Sequence, residues 1–235
     1  MILLANFRVE QDKKFAGIYW AFDPSGKRFL ATKNLVKGFR VSDERVITVA
    51  GEEYRFWEPS RSKLAAAIVK GIRNLPIKPG SSVLYLGAAN GITSSFVSDV
   101  IGKKGVLYGV EISASAMEDF IFVCQKRENM LPILADARAP ENYSDMVEGK
   151  VDVVFEDVAD KEQANVMIRN ARACLKKGGY GMLAIKARCI DSAADPKKIF
   201  AQVEKELADD FEIEENLDID QFEKDHEFLL LKFKG

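Results

Sequence analysis

Two charged side chains stand where an α/β chain rarely leaves them idle. Asp157 lies just past the apolar run of "VDVVFED", and Lys186 immediately follows the apolar run of "GMLAIK". A lysine at the carboxyl edge of a central strand is costly unless it is paired or working; an ion pair with Asp157 is the plain structural alternative. A second constellation precedes them. In "VLYLGAANGITSS" four apolar residues run into Gly87-Ala88-Ala89-Asn90-Gly91, and a helical pattern opens near Thr93. Glycine at 87 and 91 lets the backbone turn tightly and approach a ligand. The free N–H groups of a helix start can serve a phosphate, a carboxylate or a ribose hydroxyl. Glu111 ends "GVLYGVE", twenty positions after Gly91, where an acid can accept from both hydroxyls of a ribose. Asp136, after "LPILA", suits an adenine amino group or a simple turn. The set reads as a pocket for a cofactor carrying an adenosine.

Positioning these groups takes a parallel sheet. From Pro59 onward strand and helix patterns alternate. The strands are 83–86, 106–110, 132–135, 151–155, 181–185, 211–217 and 227–233; the helices are 93–101, 115–127, a short one near 141–147, 162–175 and 196–207. A further helix in "SRSKLAAAIVKGI" has Ser60 as its expected N-cap. Such alternation means a parallel sheet covered on both faces. Only nine residues separate Leu217 from Glu227, too few for a parallel crossover, so the last strand should return antiparallel. That ending belongs to the class I methyltransferase fold and not to a standard dinucleotide-binding domain. The loop also lacks the middle glycine on which a pyrophosphate would lie. Both points favour S-adenosylmethionine over NAD. Residues 1–57 differ: "AGIYWAFD", "KRFLATK", "RVITVA" and "EEYRFW", split by turn residues, read as a small antiparallel β domain, with 58–235 as the methyltransferase domain.

Composition narrows the partners. At 235 residues, 47% hydrophobic, the chain can bury one good core. No stretch approaches the roughly 20 apolar residues of a membrane helix, and the start, "MILLANFRVEQDKK", shows no secretory leader. Cys124, Cys174 and Cys189 form no C-x-x-C pair, so packing roles in a reduced cytoplasm are expected, with no metal site. The net charge of −2 lacks the basic excess of a protein that binds nucleic acid alone. No [DN]-P-P-[YF] follows the strand 151–155, and no cysteine sits as base methylation would need. The acceptor is expected to be a hydroxyl. A small-molecule O-methyltransferase, a non-catalytic docking subunit and an NAD-dependent dehydrogenase are the rival readings.

In order, "EYRFWEPSRSKLAAAI", "LYLGAANGITSSFVSDVIG", "LYGVEIS", "PILADAR", "VDVVFEDVAD", "LKKGGYGMLAIKARCID" and "EKDHEF" resemble archaeal fibrillarin across most of Glu53 to Phe228. The resemblance implies a 2′-O-ribose methyltransferase of rRNA and tRNA. It would work in a C/D-box ribonucleoprotein, with a guide RNA, a coiled-coil scaffold protein and a kink-turn-binding protein. It maps the family's Lys-Asp-Lys-His set onto Lys63, Asp157, Lys186 and His226. By residue type alone, Lys63 reads as a helix-surface cation and His226, the one histidine, as a surface residue. Lys186 would take the proton of the ribose hydroxyl, Asp157 would orient it, and His226 would position the ribose or a carboxylate. The implied cofactor shell is Gly87, Ala88, Gly91, Thr93, Glu111, Asp136 and Asp157. Asn90, Ile92 and Asp160 depart from the family pattern: Ile92 has no hydroxyl to offer the cofactor, and Asp160 stands where Gln is common. The β domain would serve a homodimer or the scaffold.

Overall fold

The computed structural model describes residues 7–235; the first six, part of the segment searched for a leader, lie outside it. Five strands, β1 (Arg8–Gln11), β2 (Ile18–Phe22), β3 (Arg28–Lys33), β4 (Val46–Val49) and β5 (Glu52–Phe56), form an antiparallel sheet ordered β1-β2-β3-β5-β4. The sequence expectation misses β1, because "RVEQ" is a mostly polar edge strand without hydrophobic alternation.

Seven strands make the second sheet: β6 (Ser82–Leu86), β7 (Val106–Glu111), β8 (Met130–Leu134), β9 (Val151–Glu156), β10 (Leu175–Lys186), β11 (Phe211–Asp218) and β12 (His226–Phe233), ordered β11-β12-β10-β9-β6-β7-β8. From β10 to β8 every pairing is parallel, while β12 runs antiparallel to both β10 and β11. The short 217–227 connection thus closes the sheet as a hairpin. Alternate side chains divide the core. Val83, Tyr85, Phe155 and Phe228 face one cluster, and Leu84, Leu86, Val154 and Leu229 face the other. The covering helices are α1 (Lys63–Lys70), α2 (Ile92–Ile101), α3 (Ala114–Cys124), α4 (Gln163–Cys174), the short α5 (Ala187–Ile190) and α6 (Pro196–Leu207).

Three local expectations are corrected. Ser62, not Ser60, caps α1, its hydroxyl accepting from Ala65 N at 3.3 Å; Pro59 starts a separate 3-10 turn over Pro59–Arg61 that takes up Ser60. The helix expected near 141–147 is two 3-10 turns, Pro140–Asn142 and Ser144–Met146. Strand β10 begins at Leu175, earlier than its apolar run, passing through Gly178 and Gly179 with a register shift between Leu175 and Tyr180. Among the described residues no helix is long and apolar enough to cross a membrane.

The two sheets share a core and a buried charge cluster. Trp57 stacks on Phe96 of α2, ring centroids 5.1 Å apart. Beside them Arg55, fully buried, donates to Glu44 at 2.9 Å, to Asp99 at 2.9 Å and to Ser95 Oγ at 2.8 Å. Asp99 also receives Arg127 at 2.6 Å and the Thr32 hydroxyl at 2.7 Å. Buried charges persist when paired and hydrogen-bonded. Here the pairing fastens the first sheet to α2, the helix that follows the glycine loop.

Candidate active site

The loops after β6 and β9 press together at the centre of the larger sheet. Asp157 N donates to Leu86 O at 3.0 Å. Gly87 has φ +82°, and a Cβ there would lie 3.0 Å from the Asp157 carbonyl oxygen, so only glycine fits this approach. Gly91 has φ +89° and caps α2, and a Cβ there would meet Phe120 at 3.0 Å; its glycine serves packing. Between them Ala89, at φ +47°, turns its N–H onto Glu111 Oε2 at 2.9 Å, while Ser113 N donates to Oε1 at 2.8 Å. Two backbone donors therefore fix the Glu111 carboxylate beside the loop.

A cavity of about 440 Å³ opens at the carboxyl ends of β6–β9, large enough for an adenosine-bearing ligand. Gly87, Glu111, Asp136, Asp157 and Lys186 line it, with Ala89, Ile112, Arg138, Val158 and Asp160. Three of the expected cofactor residues stand behind this wall. Ala88 is buried in the core, Gly91 caps the helix, and Thr93 bonds the buried Tyr85 hydroxyl. Burial, with the Asp157 charge adding and Thr93 opposing, pushes that phenol well above its ordinary value, so it remains neutral. Ile92 packs against the core, away from the cavity, so its missing hydroxyl costs the wall nothing.

Sequence reasoning passed over Arg138. Its guanidinium donates to both oxygens of Asp136, at 2.7–3.0 Å, and holds that carboxyl below its ordinary value. It also lies 4.0 Å from Asp160, so the departure at 160 places a carboxylate within ionic reach across the cavity mouth. The only signal available was the spacing in "DAR". Glu156 was passed over as well: its carboxyl is fully buried and neither oxygen has a hydrogen-bond partner. Burial, with Asp160 and Asp157 adding, raises its pKa well above the ordinary carboxylate range despite Lys186.

At the inner end of the cavity the lysines converge. Lys186 Nζ lies 2.9 Å and Lys63 Nζ 3.4 Å from the same oxygen, Asp157 Oδ1. The directed hydrogen bond of Lys186 goes to the Asp157 carbonyl at 2.6 Å, while Oδ1, buried, receives none of good geometry. The ion pair named as the structural alternative is present, and a second cation shares it. His226 opens β12 directly opposite Lys186 in the antiparallel register, which puts the two side chains on one face of the sheet. Gln163 on α4 fixes the end of β10, accepting from Lys186 N at 2.8 Å. All four expected groups thus gather where β9, β10, β12 and α1 meet. Two ammonium groups, one carboxylate and one imidazole beside a cofactor-sized cavity can orient a hydroxyl and move its proton.

Comparison with known proteins places this arrangement. The fibrillarin family model matches residues 9–235. The chain is 51% identical to the fibrillarin-like rRNA/tRNA 2′-O-methyltransferase of Pyrococcus furiosus over 219 residues, 93% of this chain and 96% of that protein. Among solved structures it is similar to Aeropyrum pernix fibrillarin with natively bound S-adenosyl-L-methionine, with TM-score 0.90 and 44% identity over 97% of this chain and 99% of that one. It is also similar to the fibrillarin chain of a fibrillarin/Nop5p complex, with TM-score 0.83 and 36% identity over 94% and 100%. The chain belongs to the fibrillarin family.

Proposed function

We propose that the chain is the methyl-transferring subunit of a guide ribonucleoprotein, modifying ribose 2′-hydroxyls of rRNA and tRNA. The observation that carries this reading is the meeting of Lys63 and Lys186 on one Asp157 oxygen at the wall of an adenosine-sized cavity. The residues present fit S-adenosylmethionine: the glycine cradle at Gly87, a ribose acceptor in Glu111 held by two N–H groups, and Asp136, a carboxylate on the cavity wall that Arg138 holds in place beside where the adenine would lie. Bound there, the cofactor supplies a methyl group on a sulfonium, an electrophile needing only an aligned oxygen.

The chain's own residues supply the rest. Lys186 Nζ takes the 2′-hydroxyl proton. It does so as the free amine, the form of the side chain that has a lone pair to accept a proton. Asp157 holds both nitrogens through one oxygen, and Lys63 steadies the oxygen as it gains negative character. His226, across the register from Lys186, positions the ribose. Alignment of the reacting atoms supplies much of the rate, and proton transfer contributes about 10²–10⁴-fold.

Sequence choice falls to base pairing between guide and target, which suits a chain of net charge −2. The fibrillarin/Nop5p complex supports a scaffold protein as the docking partner; a coiled-coil form of it, a kink-turn-binding protein and a C/D-box guide complete the particle in this reading. Three free cysteines suit the reducing cytoplasm.

The test uses labelled S-adenosylmethionine, the chain, its assembled guide particle and a complementary RNA. Label should enter one nucleotide and make the adjacent bond resistant to alkali, and both signals should vanish in Asp157→Ala and Lys186→Ala. Transfer that persists in both variants would overturn the assignment.

A further inference from the structure

Three non-glycine residues among those described have left-handed backbone: Ala50 in a hairpin turn, Ala89 in the cofactor loop, and Asp225, φ +59°, immediately before His226. Such a conformation persists where the surroundings over-determine it. At Asp225 the N–H, the carbonyl and one carboxylate oxygen are all engaged. Its N–H donates to Asp220 Oδ1 at 2.8 Å, its carbonyl accepts from Ala187 N at 3.2 Å, and its Oδ2 accepts from Arg188 Nε at 2.8 Å. Two of those partners, Ala187 and Arg188, directly follow Lys186. Arg188 is itself held by the carbonyls of Ser192 and Ala194, at 2.9 and 3.3 Å.

The turn sets the imidazole as well. His226 Nδ1 lies 2.8 Å from the Lys224 carbonyl oxygen. A carbonyl only accepts, so Nδ1 carries the proton and the neutral ring keeps its lone pair on Nε2. We propose that Asp225 and Arg188 are positioning residues for methyl transfer: the pair latches the start of β12 to the segment after Lys186 and so holds His226 as the Nδ1–H tautomer, with Nε2 as the acceptor for a ribose hydroxyl. The inference rests on the reading that His226 takes part in transfer.

One histidine in the chain makes the test direct, because histidine-selective isotope labelling gives a single imidazole spectrum. In alkaline buffer the wild type should show the Nδ1–H tautomer. Arg188→Gln alters a side chain that is 47% exposed, so the variant should fold. It should lower kcat about 10-fold at saturating cofactor and RNA, leave cofactor affinity unchanged and give mixed tautomers. Asp225→Gly, which keeps the backbone freedom but loses the anchor, should do the same, with Asp225→Asn restoring part of kcat. Wild-type kcat and tautomer in both Arg188→Gln and Asp225→Gly, alongside a His226→Ala variant that is impaired, would overturn the latch and leave the catalytic assignment standing. An unimpaired His226→Ala would overturn the assignment itself, and the latch's role in transfer with it.

Discussion

Replacing Glu227 with Gln should make the protein more stable, and by an amount that depends on pH. Glu227 follows His226 on β12, is 8% exposed, and its Oε1 is buried without a partner. Burial, with the charges of Glu204 and Asp218 adding and a hydrogen bond from Asn216 opposing, pushes its pKa from 4.5 up to about 7. The folded chain therefore keeps a proton that the unfolded chain releases. Below about pH 4.5 both states hold it and the site is neutral to stability. As pH rises from there to about 7, stability is progressively lost, and above that the loss levels off. Each pKa unit is about 1.4 kcal/mol, so the full displacement amounts to about 3 kcal/mol. Glutamine keeps the shape of the protonated acid and does not titrate. Denaturation of wild type and Glu227→Gln across this range should give curves that coincide at the acid end. At the alkaline end they should diverge by about 3 kcal/mol, roughly 6–12 °C in Tm for a chain of this size. A gap independent of pH would refute the reasoning, since it would show that the carboxyl titrates alike in both states.

Glu156→Gln should behave in the same sense, gaining stability as pH rises above the ordinary carboxylate range, because burial favours the protonated acid there; denaturation at two pH values checks it. Arg55→Met should cost about 3–5 kcal/mol, because it leaves Glu44 and Asp99 short of a buried cation, and urea unfolding would measure the loss. Gly87→Ala combines left-handed φ with a Cβ against the Asp157 carbonyl. It should cost about 1–3 kcal/mol and weaken cofactor binding by about 10-fold or more, as read by titration calorimetry.

Much of the candidate site was legible because its chemistry is written at strand ends. Gly87, Glu111, Asp136, Asp157 and Lys186 each terminate an apolar run, and a parallel sheet brings such termini to one edge. The antiparallel closing hairpin followed from the nine-residue connection between Leu217 and Glu227. What stayed hidden depends on contacts between distant segments. Arg55, Asp99 and Arg127 lie far apart in the sequence and become a buried cluster only when β5, α2 and the turn after α3 meet. Ala88 and Thr93 sit in the right loop, yet the turn directs one into the core and the other to Tyr85. Arg138 lay in plain view, but nothing local says that it spans from Asp136 toward Asp160.

The same charge cluster bears on the order in which the chain can settle as it is synthesised. Domains commonly fold as units from the N-terminus while translation proceeds. Here the first sheet ends at Phe56, but Arg55 receives its second carboxylate only when Asp99 has emerged, and Asp99 its other cation only with Arg127. Until about half of the chain is made, the leading sheet would have to bury a guanidinium with incomplete partners and leave Trp57 without the ring of Phe96. The first sheet would then close over its buried charge only as the glycine loop and α2 take their places, so its completion and that of the cofactor's floor would be one event.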